Sequence, residues 1–350
     1  MNWKKGTSLV LAGVMASSVL FAGCGKGIDK DAVVATLGDK EISLGFANFM
    51  AQYQAITYDR YFLSMYGEDM WNQDIFGNGS TMTETVKDGV LESIEMSYLL
   101  EQHMEEYKVE ITDDELSAMQ ETAKQFMEDN SKGAIKALGA EEEYVTEMLR
   151  LSMIQTKMQE VIQNEADTEV SDEEAAQRTF SYIQINANSY TDDDGNSVDY
   201  TEEEKEELAE KAENVAKAAA DDFEGAAADN DYTVSTYSYG ADEDNSTMDE
   251  AVTSAADKLK EGEVSDLITT EAGTYYIIRL DSEFDEKATE TKRESIIDTR
   301  KSEHYTEITD GYKEAAEWNV NEKVWEAVNF DELYTVYEEE STEAVEETEN

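Results

Sequence analysis

The chain has no proline in 350 residues, a single cysteine (Cys24) and only two histidines, His103 and His304. At the usual frequency of about 5 %, about 17 prolines would occur in a chain of this length. Their absence removes the slow X–Pro step from the chain's own folding, although lineage-wide compositional drift would leave the same trace. One cysteine and two histidines cannot build a Cys/His zinc site, a four-cysteine cluster or an intramolecular disulfide. Basic residues are also scarce: 27 stand against 82 acidic ones, a formal charge of −55. A charge of that sign repels phosphate backbones and argues against nucleic-acid binding. There is no Gly-rich phosphate loop and no Gly-x-Ser-x-Gly elbow. His103 and His304, far apart in helical stretches, read as surface or core residues, and neither a cofactor nor a metal is expected. What remains, 40 % hydrophobic and 9 % aromatic, suffices for real cores, and the length suggests two or three domains.

The N-terminus has a recognisable design. Lys4 and Lys5 precede an uncharged run that ends at Phe21-Ala22-Gly23-Cys24. A basic start, a short apolar stretch and small residues before a cut site describe a secretory signal, too diluted and short for a permanent span of about 20 residues. Ala-Gly-Cys resembles a bacterial lipobox, with Phe21 where Leu is commonest. Residues 1–23 are therefore expected to be a lipoprotein signal peptide, Cys24 the lipidated N-terminus, and 24–32 a tether. An ordinary signal with an incidental cysteine is the alternative. Cleavage would remove Lys4 and Lys5, so 27 basic residues become 25 and the charge becomes −57.

After the brief β-rich run Val33–Leu37, turned by Gly38-Asp39, the pattern is helical. Phe46, Phe49, Met50 and Tyr53 begin one helix. Val86, Val90, Ile94 and Tyr98 line a second, and Val145, Met148, Leu151, Ile154, Met158 and Val161 a third. Thr112-Asp113-Asp114-Glu115 and Ser171-Asp172-Glu173-Glu174 have the form of capping boxes. The texture changes after Ser171. Strand-like runs at Phe180–Ile185, Tyr232–Tyr237 and Tyr275–Leu280 interleave with helical stretches, which indicates a separate α+β domain. A final helix is expected from about Glu286 to Glu317, followed by an acidic, low-complexity tail.

This order of pieces resembles the PrsA/SurA-type extracytoplasmic foldases, which join a helical chaperone domain to a parvulin (PpiC-type) prolyl isomerase domain. The resemblance rests on Ala32–Ser43, on Val170–Glu174, on Asp222-Phe223-Glu224-Gly225-Ala226-Ala227, and above all on Ala255–Ser265 followed by Thr274–Arg279. It implies an α+β protein with a small antiparallel sheet and helices. The chaperone domain would take residues 33–166, the parvulin-like domain 175–283, a completing C-terminal helix and strand 284–336, and the tail 337–350.

The departures bear on activity. Parvulins usually place one His in the first strand and another in the last; here those positions look like Tyr182 and Tyr276. The pocket Met is kept as Met248, the pocket Phe falls on Val252, and the aromatic near the helix end becomes Asp257. Thr236 and Ser238 are candidates for the central Cys or Asp position. Rotation about the amide needs an apolar pocket and a polar network favouring the twisted bond, and no net proton transfer. A Tyr pair keeps some hydrogen bonding, but losing the Phe wall and both His makes an efficient isomerase an unfavoured outcome. No catalytic residue is assigned beyond the candidate pocket positions Tyr182, Met248, Val252 and Tyr276.

The resemblance implies a lipid-anchored folding factor on the outer side of a bacterial membrane, whose partners are unfolded or exported polypeptides. Its alternatives are an active parvulin isomerase and a structural surface lipoprotein with an inactive domain. A foldase working outside the membrane without ATP would gain from folding with no prolyl step. Eleven of the 14 methionines lie between Met50 and Met158, a bias that suits adaptable client binding and suits core filling equally well. The acidic loop Asp192-Asp193-Asp194-Gly195 fails as a calcium hand: with Gly195 sixth, the first and twelfth positions hold Tyr190 and Thr201. Weak, delocalised cation binding by the acidic surface is the most it suggests.

Overall fold

The computed structural model describes residues 28–67, 69–192, 195–240 and 247–330. The expected signal peptide, Cys24 and the acidic tail lie outside the described residues. Among the described residues no helix is long and apolar enough to cross a membrane.

The architecture is α+β. In chain order the elements are β1 (Val33–Leu37), β2 (Lys40–Ser43), α1 (Leu44–Tyr66), α2 (Met82–His103), α3 (Asp113–Asp129), α4 (Lys132–Leu138), α5 (Glu142–Gln163) and α6 (Asp172–Ala175). They continue with β3 (Arg178–Asn186), β4 (Ser189–Thr191), β5 (Ser197–Asp199), α7 (Glu202–Ala219), α8 (Phe223–Ala228), β6 (Val234–Tyr239) and α9 (Glu250–Ala256). β7 (Ile268–Thr269), β8 (Thr274–Ser282), α10 (Glu286–Ala315), β9 (Trp318–Val320) and α11 (Glu322–Trp325) complete the chain. Two compact units result: one uses residues up to Met158 and the chain from Gly311 onwards, the other Gln159–Asp310.

In the first unit β1 is the middle strand of a three-stranded antiparallel sheet, flanked by β2 and β9. Leu37 pairs with both Lys40 and Trp318, so the start and end of the described chain share one sheet. Sequence reading anticipated β1 and a C-terminal strand within 284–336; β2, at four residues, is too short to signal itself. The helix starts are chemically explicit. Ser43 caps α1, and Thr81/Glu84 and Thr112/Glu115 form reciprocal capping boxes on α2 and α3, satisfying backbone N–H groups that the first turn leaves unpaired. At the other end of α4, Gly139 adopts φ 61° and its N–H returns to Ile135 and Lys136, a left-handed cap that favours glycine.

One core of this unit gathers Phe49, Ala123, Leu138 and Val145, with Tyr144 and Met148 packed against them. Four of the clustered methionines, Met70, Met82, Met119 and Met158, are buried, whereas Met65 is exposed. Helices α2 and α5 are tied by charge: Arg150 binds Glu147 at 2.8 Å and Glu101 at 2.5 Å, and Tyr98 donates to Glu147 at 2.9 Å. Lys87 donates to the carbonyls of Trp325 (3.0 Å) and Val328 (2.9 Å), fixing the C-terminal segment whose Trp325, Val328 and Phe330 are buried.

The second unit is built on a four-stranded antiparallel sheet ordered β6-β3-β8-β7. The strand expected at Tyr232–Tyr237 forms two residues later. The capping box expected at Ser171 is only half made: Ser171 accepts from Glu174 N–H, while the Glu174 carboxylate is taken by Arg300 on α10. Thr201 and Glu204 instead form an unanticipated full box at α7. Of the acidic loop, Asp192 and Gly195 are described: Asp192 accepts from Asn196 N–H at 2.8 Å and Gly195 N–H returns to Asp192 O, between β4 and β5.

The α3 start carries a pH signature. Lys157 lies 2.6 Å from Glu115, and with the Thr112 N–H it holds the Glu115 carboxyl at about 2, below its usual 4.5. A depressed carboxylate contributes stability that is present above its unfolded pKa and lost as pH falls through the folded one. Urea unfolding of Glu115→Gln at a series of pH values is expected to show a flatter fall in stability than the parent between about pH 4.5 and about pH 2.

Candidate functional site

Strand β3 is paired on both sides, with β6 and with β8, and alternate residues point to opposite faces of the sheet. Ile183, Ile185 and Ile277 face one way, against Ala212 and Val215 of α7 and Phe223 of α8. Phe180, Ile278 and Leu280 face the other, against Met248 and against Val252 and Ala256 of α9. The candidate pocket positions belong to this second face.

All four sequence-derived pocket positions come together. Val252 is fully buried and Met248 is 8 % exposed, while Tyr182 and Tyr276 pack half-buried against the same cluster. The rings of Tyr182 and Tyr276 lie 5.9 Å apart, tilted by 48°. They reach this position from adjacent strands as a diagonal pair on one face, two residues out of direct register: Tyr182 pairs with Ile278, and Tyr276 with Gln184. Burial raises the Tyr276 phenol above its ordinary range, helped by Tyr182 and by Asp249 at the start of α9. Among the described residues neither hydroxyl is committed to a hydrogen bond, so both remain free to donate to or accept from a bound amide.

Three further aromatics were missed by sequence reasoning. Phe180 packs against Tyr237 and Tyr239, each with centroids 5.7 Å away. Their signal was the two-residue spacing in Phe180/Tyr182 and Tyr237/Tyr239, which places each pair on one face. Tyr239 donates to Asp257 at 2.7 Å; burial, then the neighbouring carboxylate, pushes that phenol upward. Arg178, also missed, donates to the carbonyls of Ala256 (3.3 Å) and Leu259 (3.2 Å). A guanidinium at the C-terminal end of α9 satisfies carbonyls left over by the last turn. Asp257, where an aromatic was expected, thus serves a polar anchor for α9.

Thr236 and Ser238 do not join this site. Pairing sets Ser238 opposite Thr179, and its hydroxyl lies 2.8 Å from that of Thr179 on the other face of the sheet. Both candidates instead line a separate groove with the start of α10. Alternation along β6 is the reason: Tyr237 and Tyr239 take the pocket face, so 236 and 238 cannot. Neither His103 nor His304 is among the residues packed in this cluster. His103 stacks on Tyr312 at 3.6 Å and binds Glu106 at 2.8 Å in the first unit, and His304 lies within α10.

The arrangement is a packed cluster in which Met248 and the fully buried Val252 underlie two half-buried phenols, on a strand pair joined to α9. What it presents outward is the exposed part of the two rings, whose hydroxyls can each donate and accept.

Residues 170–293, which hold this sheet and its helices, match the family described as the PPIC-type PPIASE domain. Solved structures that align with the chain include foldase proteins and a SurA-like chaperone. The foldase protein PrsA of Lactococcus lactis aligns at 16 % identity over 84 % of this chain and 96 % of its own, with a TM-score of 0.33. PrsA of Streptococcus pneumoniae aligns at 18 % identity over 86 % and 99 %, with a TM-score of 0.31. A SurA-like chaperone of Campylobacter jejuni aligns at 12 % identity over 83 % and 98 %, also at 0.31. No curated protein matches the chain.

The Tyr276 phenol is expected to ionise above the ordinary tyrosine range in an NMR titration of ring-labelled protein. Asp249→Asn, which keeps the helix cap but removes the charge, is expected to bring that pKa down; an unchanged or higher value would contradict the geometry.

Proposed function

We propose that the chain is a lipid-anchored, extracytoplasmic folding factor that binds unfolded exported polypeptides. The observation that carries this reading is the apolar surface at the far end of α1 and in the loop beyond it. Five of the seven exposed large hydrophobics among the described residues fall between Tyr53 and Phe76, with Tyr61 at 70 %, Met65 at 65 % and Phe76 at 50 % exposure. The rings are contiguous: Tyr58 stacks on Phe62 at 5.8 Å, and Phe62 meets Tyr66 at 6.1 Å and Phe76 at 6.2 Å. Isolated surface hydrophobics are ordinary, but a joined patch marks an interaction surface. Tyrosine, phenylalanine and methionine adapt to varied apolar partners without requiring one sequence. The large negative charge keeps such a surface soluble and favours basic segments. Anchoring through Cys24 rests on the lipobox resemblance.

The parvulin-type domain, with both family histidines replaced by Tyr182 and Tyr276, would support or orient client binding. A second reading, an active peptidyl-prolyl isomerase, is favoured by one observation: the two phenols converge over Met248 and Val252 with uncommitted hydroxyls.

Two measurements separate these readings. Suppression of aggregation of an unfolded, basic client is expected from the full chain. It is expected to fall several-fold in Tyr61→Ser/Met65→Ser/Phe76→Ser with little change in Tm, because these side chains are exposed. A variant that protects as well as the parent would remove the client-binding surface from this site. In a protease-coupled cis/trans assay on X-Pro peptides no acceleration is expected. Acceleration that disappears in Met248→Ala would establish the enzyme.

A further inference from the structure

Sheet edges offer unpaired backbone groups to any extended chain, and proteins blunt them with short strands or charge. Of the four outer strands of the three- and four-stranded sheets, three are blunted. β7 has two residues, β9 has three, and β2 carries Lys40 and Glu41. β6 is different. It runs for six residues, Val-Ser-Thr-Tyr-Ser-Tyr, with no charge and no glycine, in a chain that is 31 % charged. Its composition is that of a strong β-former, and among the described residues only β3 pairs with it.

A groove of about 620 Å³ runs beside this strand, between β6 and the first turns of α10. Its lining is rich in hydroxyls: Thr179, Thr236 and Ser238 from the sheet, Thr291 and Ser295 from α10. The lining includes one carboxylate, Asp285, and that group is already committed. It accepts from the N–H groups of Lys287 and Ala288 (3.0 and 2.9 Å) and from the Thr179 hydroxyl (2.8 Å). Lys287 lies exposed on the same wall. On a chain of charge −55 this groove is therefore a place where an acidic side chain meets a cation.

We propose that β6 is a second polypeptide-binding site, distinct from the Tyr182/Tyr276 pocket, which takes an extended segment by strand addition to its free edge. The occupant is defined by the two faces it would meet. An added strand alternates its side chains: one set would lie beside Tyr237 on the aromatic face, the other beside Thr236 and Lys287. The fitting segment alternates apolar or aromatic residues with acidic or hydroxyl ones. The proposal rests on the polypeptide-binding reading only for the origin of the segment, and its site lies in the other unit from the aromatic surface of α1.

The test uses the full chain and a labelled seven-residue peptide alternating Val or Tyr with Glu or Ser, against a matched peptide with Lys for Glu. Binding of the acidic peptide is expected to slow amide exchange at Val234–Tyr239. Thr236→Glu, which places a like charge beside the peptide's acidic set, is expected to weaken it by about tenfold or more. Lys287→Glu, at an exposed helix position, is expected to reverse the preference between the two peptides and serves if Thr236→Glu does not fold. No binding, or binding that leaves β6 exchange unchanged, would overturn the proposal. So would binding lost in Tyr276→Ala but kept in Thr236→Glu, which would assign the peptide to the pocket. Aggregation suppression that persists while edge pairing fails would leave the α1 surface standing and remove only this second site.

Discussion

The double pairing of β3 is the constraint on which the second unit depends. With β6 on one side and β8 on the other, its side chains have two directions available and nothing between. Ile183 and Ile185 go to the face covered by α7 and α8; Phe180 and Tyr182 go to the face that α9 covers. A slip of one residue would exchange these sets, turning Ser181 toward the aromatic face and Gln184 toward the isoleucine face. The single irregularity, between Thr179 and Phe180, falls where the strand leaves the aromatic face and Thr179 turns to the cap of α10. Position and chemistry of the candidate pocket both follow from that one register.

Scarcity of basic residues makes each placement consequential. Surface ion pairs contribute little by themselves, but several of these cations also satisfy backbone carbonyls, which is a structural role rather than a charge count. Arg178 closes the end of α9. Arg293 binds Val170 O and Asp172, and Arg300 binds Glu169 O and Glu174, so α10 holds the segment that leads into β3. Lys87 holds the turn after α11. Acidic side chains, by contrast, outnumber basic ones 82 to 27, so most of them have no cation to pair with.

The two proposed binding surfaces differ in kind. The α1 surface would offer side chains alone, apolar and adaptable, and so place few demands on a partner's sequence. The β6 edge would offer backbone groups and a defined alternation, and so select a pattern. The cluster of Met248 and Val252 beneath two phenols carries tyrosines where the parvulin resemblance would place imidazoles. Substituting phenols for imidazoles retains donors and acceptors but removes groups that titrate near neutrality.

What the sequence determined by itself was local. The capping residue Thr112, the helical faces of α2 and α5, and the apolar run of β8 are legible because their partners lie within a few positions. That Tyr182, Met248, Val252 and Tyr276 would pack in one cluster was also legible, through the spacing of Met248, Val252 and Leu259 and the similarity of Thr274–Arg279 to a known pattern. Only the tertiary structure decided which face Thr236 and Ser238 would take, since a strand's alternation has no origin until its neighbour fixes the register. It also decided that Asp257 would serve Tyr239, that Glu174 would leave its own cap for Arg300, and that β9 would return to β1. Those contacts join residues between 18 and almost 300 positions apart. Their free energy depends on burial and pairing that exist only once the distant segment has arrived.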